Sequence, residues 1–128
     1  MAFGQTSGIE KTLKCASAIG TAYTIAKFAL DDDTLDVASS STDTLIGVFQ
    51  HTTDAAGEQV RVMVSGISRL KLGGTVTRGD FVTSTTGGLG VAAAPATGVN
   101  ASIVGVAMAS GASGDIVPVL IQPGRIQG

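Results

Sequence analysis

Two stretches of the chain carry one pattern of apolar and polar positions. "TLIGVFQHTTDAAGEQVRVMVSG" runs from Thr44 to Gly66, and "SIVGVAMASGASGDIVPVLIQPG" from Ser102 to Gly124. Each opens on aliphatics and a Gly-Val pair, crosses a polar turn that ends in glycine and an acid, and closes on alternating aliphatics. Val60, Val62 and Val64 alternate with Arg61 and Met63; Val117, Val119 and Ile121 alternate with Pro118 and Leu120. Side chains two apart share one face of a strand, so each row predicts a strand with one buried face. Asp54–Gly57 and Gly111–Gly114 supply residues able to take positive φ, so each stretch reads as a hairpin with a long loop. Pro118 cannot donate to a ladder, which predicts an edge strand or an outward-pointing nitrogen.

The echo extends upstream. "YTIAKFALDDDTLDVASS" from Tyr23 and "RGDFVTSTTGGLGVAAA" from Arg78 both read as strand, turn and shorter strand. The repeats therefore span about 20–66 and 76–124. Ala22, Ile25, Ala26, Ala29 and Leu30 also fall at helical spacing. Gly20, Thr21, Thr24 and the Thr- and Gly-rich counterpart favour a strand there. The expectation is an all-β fold, a small barrel or sandwich built from two pseudo-repeated hairpin units whose apolar faces bury each other. Residues 15–128 form this single domain and 1–14 an N-terminal arm. "IEKTLKC", from Ile9, alternates enough for a strand but has no evident counterpart in the second copy.

Composition sharpens the picture. Charged residues make up 14% of the 128, and hydrophobic ones 44%, where ordinary domains carry about 25% charged. Mean hydropathy is +0.39. A surface so poor in charge is expected to be covered by partners. A net charge of −2 without a basic block gives no footprint for nucleic acid. No apolar run is long enough to cross a membrane as a helix. The first residues lack the charge and apolar core of a secretory signal, which predicts synthesis in a cytoplasm. Cys15 is the sole cysteine and reads as a small apolar filler.

Candidate chemistry is sparse. His51 is the sole histidine, set in the first hairpin loop, where a solvated side chain is the simpler reading than a general base. Asp31, Asp32, Asp33 and Asp36 invite a calcium loop, but the glycine and glutamate such a loop requires are absent. Gly87–Gly90 lacks the third glycine of a phosphate fingerprint and a following helix. Arg78-Gly79-Asp80 matches an adhesion tripeptide and is explained equally by a turn entering a strand. Asn100-Ala101-Ser102 fits a glycosylation acceptor, which has no meaning in a cytoplasm. No enzyme activity, cofactor or metal is expected.

Taken together, "CASAIGTAYTIAKFALDDD", the run from Thr42 to Ala94 and "IVGVAMASGASGDIVPVLIQPG" resemble the capsid cement, or head decoration, proteins of tailed bacteriophages. The marks are the Ile46-Gly47-Val48 entry, the Ala56-Gly57-Glu58 turn, the valine strand closing on Gly66, the Leu72-Gly73-Gly74 step and the Gly79-Asp80 turn. The resemblance spans about Cys15 to Gly124. It implies a non-enzymatic virion protein, made in the host bacterial cytoplasm. Such a protein binds the outer capsid surface as a homotrimer and clamps neighbouring major capsid protein subunits, with no nucleic acid or membrane contact. Phe3, Ile9 and Leu13 of the arm are the candidate contacts to the capsid or a neighbouring subunit. Two other classes are open to the residues. One is a surface adhesion or glycan-binding module using Arg78-Gly79-Asp80 or the Thr-rich loops. The other is a small trimeric enzyme using His51 and Asp31–Asp33.

Overall fold

A computed structural model describes residues 7–128. Nine strands make one continuous sheet: β1 (Ser7–Cys15), β2 (Ile25–Phe28), β3 (Thr34–Val37), β4 (Leu45–Phe49), β5 (Gln59–Lys71), β6 (Phe81–Ser84), β7 (Gly90–Ala92), β8 (Asn100–Ala107) and β9 (Ile116–Gln127). Residues 16–24 form a loop and Ile25–Phe28 a strand, so the helical spacing there is a coincidence of alanines. Both hairpins form as the alternation predicts, β4 with β5 and β8 with β9.

The sheet closes on itself. In the order β1-β3-β2-β4-β5, the first and last strands also pair, which makes a five-stranded barrel with no open seam. The β1–β3 contact is parallel, Lys14 with Thr34 and Cys15 with Leu35; the rest are antiparallel. β5 then runs on past this barrel. Its second half, Gly66–Lys71, pairs with β9, and the sheet continues β9-β8-β6-β7. A parallel bridge from Leu72 to Gly90, reinforced by Gly73 N donating to Gly90 O at 2.8 Å, ties β7 back to the end of β5. The second lobe thus repeats the first, and β5 closes one and opens the other.

This gives β1 a counterpart. β1 meets β5 as Leu13 with Val60 and Lys14 with Gln59; β5 meets β9 as Leu70 with Val117 and Lys71 with Ile116. Each step is 57 positions, as from Cys15 to Leu72. The loop bonds agree. Cys15 N donates to Glu58 O and Gly57 N to Cys15 O; Leu72 N donates to Asp115 O and Gly114 N to Leu72 O. Ser7–Lys14, assigned above to an arm, is therefore barrel wall. The reason is physical: a strand paired along most of its length is held by the sheet wherever it lies in the chain.

Cys15, Ile19, Ala26, Leu35, Phe49, Val60 and Val62 fill the first lobe. The second core contains Leu70, Leu72, Val82, Val104, Val117 and Val119, and it merges with Ile25, Val48 and Met63 from the outer face of the first lobe. Burying a side chain of that size contributes about 1.5–3 kcal/mol, so this seam alone stabilises the pair of lobes by several kcal/mol before ordering entropy. The two apolar faces do not bury each other reciprocally. The outer row of the first lobe is covered, and the matching row of the second is exposed at Phe81 and Leu120 with Val106 half-buried between them. Pro118 also departs from expectation. β9 lies between β5 and β8, and Pro118 is an inner residue whose carbonyl accepts from Met108 N at 3.0 Å. Its nitrogen faces the same neighbour just where the β8 ladder stops, so a single end bond is missing.

Candidate functional site

The residues singled out for chemistry do not converge. His51 bridges its own hairpin. Its Nδ1 lies 2.9 Å from Thr52 O, and its Nε2 accepts from Arg61 N at 3.1 Å. A carbonyl can only accept, so the hydrogen-bond network assigns the proton to Nδ1 and leaves Nε2 its lone pair. The repeat explains the arrangement. Gln50 N donates to Arg61 O as Met108 N donates to Pro118 O, which makes Arg61 the counterpart of Pro118. The first lobe has an N–H to satisfy at this point and uses His51. The second has proline, no N–H, and Ala109 in place of the histidine.

Asp31, Asp32 and Asp33 lie exposed in the β2–β3 turn, where Thr34 N donates to Asp31 O at 3.1 Å and Asp33 pairs with Lys14 at 3.6 Å. Asp36 accepts from Val37 N at 2.8 Å. Among the described residues no group of three or more His, Cys, Asp or Glu side chains could hold a metal ion. Cys15 is buried, with its sulfur 3.2 Å from Thr53 Oγ1 and 3.3 Å from Ala55 O. Arg78-Gly79-Asp80 is a pinned turn. Arg78 N donates to Ser110 Oγ at 2.9 Å, Thr77 N to Asp80 Oδ2 at 2.9 Å and Gly79 N to Ala107 O at 2.8 Å. Gly79 has φ +94°. Its counterpart Tyr23, whose N donates to Phe49 O at 2.9 Å, takes φ +62° as the one such non-glycine among the described residues. The Arg69 guanidinium sits 5.9 Å from the centre of the Tyr23 ring. Gly88 and Gly90 are packing glycines: a Cβ on them would lie 2.7 Å from Val37 Cγ1 and 2.6 Å from Leu70 Cδ2. Asn100 is exposed at the start of β8.

Two surface concavities are shallow. One, of about 400 Å³, is lined by hydroxyls from Ser39–Ser41 and Thr83–Thr85 together with Val91, Ala92, Ala94, Pro95 and Ala101, and no charged side chain. The Thr83 hydroxyl is buried without a hydrogen-bond partner. Nothing here pairs a nucleophile with a base.

What the surface offers instead is apolar side chains. Phe28, Leu30, Phe81 and Leu120 are exposed, as are Ile9, Val99, Met108 and Ile116. Of the candidate contacts, Ile9 is exposed, Leu13 is half-buried against the first core, and Phe3 lies outside the described residues. Phe81 and Leu120 belong together: Phe81 pairs directly with Val106, and Val106 with Leu120. Paired residues share a sheet face, so the three form one apolar row across β6, β8 and β9. Alternation alone marked neither this row nor the Phe28–Leu30 turn. The signal that finds the row is the repeat register, which sets Phe81, Val106 and Leu120 against Ile25, Val48 and Met63.

Among the described residues no helix is long and apolar enough to cross a membrane. The sequence matches no known protein-family model and no curated protein. The structure is similar to the crystal structure of the N base of the head fibre gp8.5 of bacteriophage phi29. The TM-score is 0.67 and the identity 19%, over 89% of this chain and 93% of that one. The two proteins share a fold through nearly their whole lengths.

Proposed function

We propose that the protein is a non-enzymatic structural component of a bacteriophage virion. It binds the outer surface of the assembled head as a homotrimer and clamps neighbouring major-capsid subunits. The observation that carries this reading is the likeness, across almost all of both chains, to the base of a phage head fibre. The chemistry of the chain supports it. His51 and Asp33 are engaged within their own hairpin and turn, while the sparsely charged surface exposes apolar side chains suited to a partner. A closed barrel joined to a second lobe by a continuous strand makes a stiff body. Three linked copies multiply modest contacts through avidity, and a specific contact requires on the order of 800 Å² per partner. Ile9, 65% exposed at the open end of β1, is the described candidate for touching the capsid.

Heads purified without the protein and titrated with the full chain test the proposal. Electron cryomicroscopy is expected to reveal added density on the outer surface, and decorated heads to retain DNA to a higher temperature. Heads that stay bare at saturating protein refute it. Ile9→Glu, which leaves the barrel wall intact, is expected to weaken decoration, and His51→Ala to leave it unchanged.

A further inference from the structure

We infer that the row Phe81, Val106 and Leu120 is one half of a contact between copies of this chain, and that the β2–β3 turn of the next copy is part of the other half. The argument starts from the seam inside the chain. Ile25 pairs with Val48 and Val48 with Met63, in the register that joins Phe81, Val106 and Leu120. The first row is 0%, 0% and 2% exposed because the second lobe covers it, whereas Phe81 and Leu120 are 46% and 40% exposed. One surface, repeated, is buried once and open once. The chain itself displays what covers it: another lobe of its own kind.

One element of the second lobe that meets the first at this seam has an open counterpart. The turn Thr86–Gly88, between β6 and β7, lies against the outer side of β2 and β3. A Cβ on Gly88 would meet Val37 and Thr24 at 2.7 and 3.0 Å. This turn is closed by Thr85 N donating to Leu89 O, as the β2–β3 turn is closed by Ala29 N donating to Thr34 O. The latter turn meets β1 through Asp33 and Lys14, and it carries Leu30 at 103% and Phe28 at 52% exposure. The two open halves of the seam thus sit on opposite lobes, and both carry exposed apolar side chains.

Their charges also match. The turn holds Asp31 and Asp32, which make no ion pair among the described residues. Exposed Arg78, in the turn that enters β6 three residues before Phe81, likewise makes no ion pair among the described residues, while Asp80 is turned back onto Thr77 N. Such a contact is head-to-tail, joining different surfaces of two copies. Three copies joined this way place six lobes in a ring. The count of three rests on the proposed function; the contact rests on the repeat.

Light scattering on the full-length protein at increasing concentration tests this. The wild type is expected to run at a multiple of 12.7 kDa. Phe81→Asp and Leu30→Asp, each at an exposed position, are expected to weaken assembly by at least about 30-fold, as loss of a buried anchor does, with wild-type circular dichroism spectra. Mixing the two variants decides the geometry. One retains an intact turn and the other an intact row, so an equimolar mixture is expected to form dimers and stop. A monomeric wild type overturns the inference. So does a Leu30→Asp variant that assembles like the wild type, because the row would then be pairing with something other than that turn. Normal assembly without head binding would defeat the proposed function and leave this contact standing.

Discussion

Gly105→Ala is expected to destabilise the protein by about 3 kcal/mol. Gly105 lies where β8 crosses β9, and an added Cβ would overlap the carbonyl oxygen of Leu120. Gly47 in β4 stands in the same relation to the carbonyl of Met63, and Met63 is the register counterpart of Leu120. Both collisions are with backbone, so no side-chain rotation relieves them. To admit the methyl group the strands must part by roughly an ångström. That carries an N–H···O separation of about 2.9 Å beyond hydrogen-bonding range. Two ladder bonds at about 1 kcal/mol each, plus the strain and looser packing of an overfilled site at about 1 kcal/mol or more, give the total. A typical domain holds only about 5–15 kcal/mol. Urea unfolding followed by circular dichroism measures the change. With an m-value of about 2 kcal/mol/M the midpoint falls by roughly 1.5 M. Gly20→Ala is the control. No atom lies within 4 Å of its added Cβ and its φ is not positive, so its midpoint is expected to hold or rise slightly. If Gly105→Ala unfolds within about 0.3 M of the wild type, the glycine of the Ile/Val-Gly-Val motif is not there to admit a backbone, and the reasoning fails.

Other outcomes follow from the same register. His51→Ala strands the Arg61 N–H and is expected to cost about 1 kcal/mol; adding Arg61→Pro, which copies the second lobe, is expected to recover most of it, read as a coupling energy in a double-mutant cycle by urea unfolding. Gly79→Ala has room for its methyl group but sits at φ +94°, so a loss of about 1–2 kcal/mol is expected from backbone strain alone. Tyr23→Gly relieves the same strain and gives up the ring over Arg69; the two terms are similar in size, and a net change beyond about 1 kcal/mol in either direction would contradict that balance.

Much of the fold is legible in the sequence because strand signals are local. The alternating valines of β5 and β9, the glycine-bearing loops and the doubled Gly-Val entry each report a neighbourhood of a few residues. What escapes is what depends on partners far along the chain. β1 reads as an arm because its counterpart is hidden inside β5, a strand of 13 residues that the repeat boundary at Gly66 cuts in two. The echo of Leu13-Lys14-Cys15 in Leu70-Lys71-Leu72 is there, but three residues are too few to announce it. Pro118 reads as an edge because proline usually is one; only the end of the β8 ladder makes an inner position tolerable. Tyr23 hides a positive φ that Gly79 would have advertised. The exposed row is least legible of all. Phe81 and Ile25 are equally apolar and equally strand-like, and which is covered depends on the relation between lobes.

That relation accounts for the surface. Had the two copies faced each other across a two-fold axis, each could have buried the same row against the other, as the sequence pattern alone suggests. Instead β5 leaves the first barrel and enters the second lobe without turning back, and the register of β1 on β5 recurs as that of β5 on β9. Copies related by such a step present one face forward and another behind. A forward face meets a rear face once within the chain, and one of each is left over at the ends. Adding more lobes to the same chain would move the leftover faces apart without removing them; only a ring does that. The low charge content and the uncovered Phe81 row are then two views of one fact: a directional repeat of two lobes is stable as a fold and incomplete as a surface.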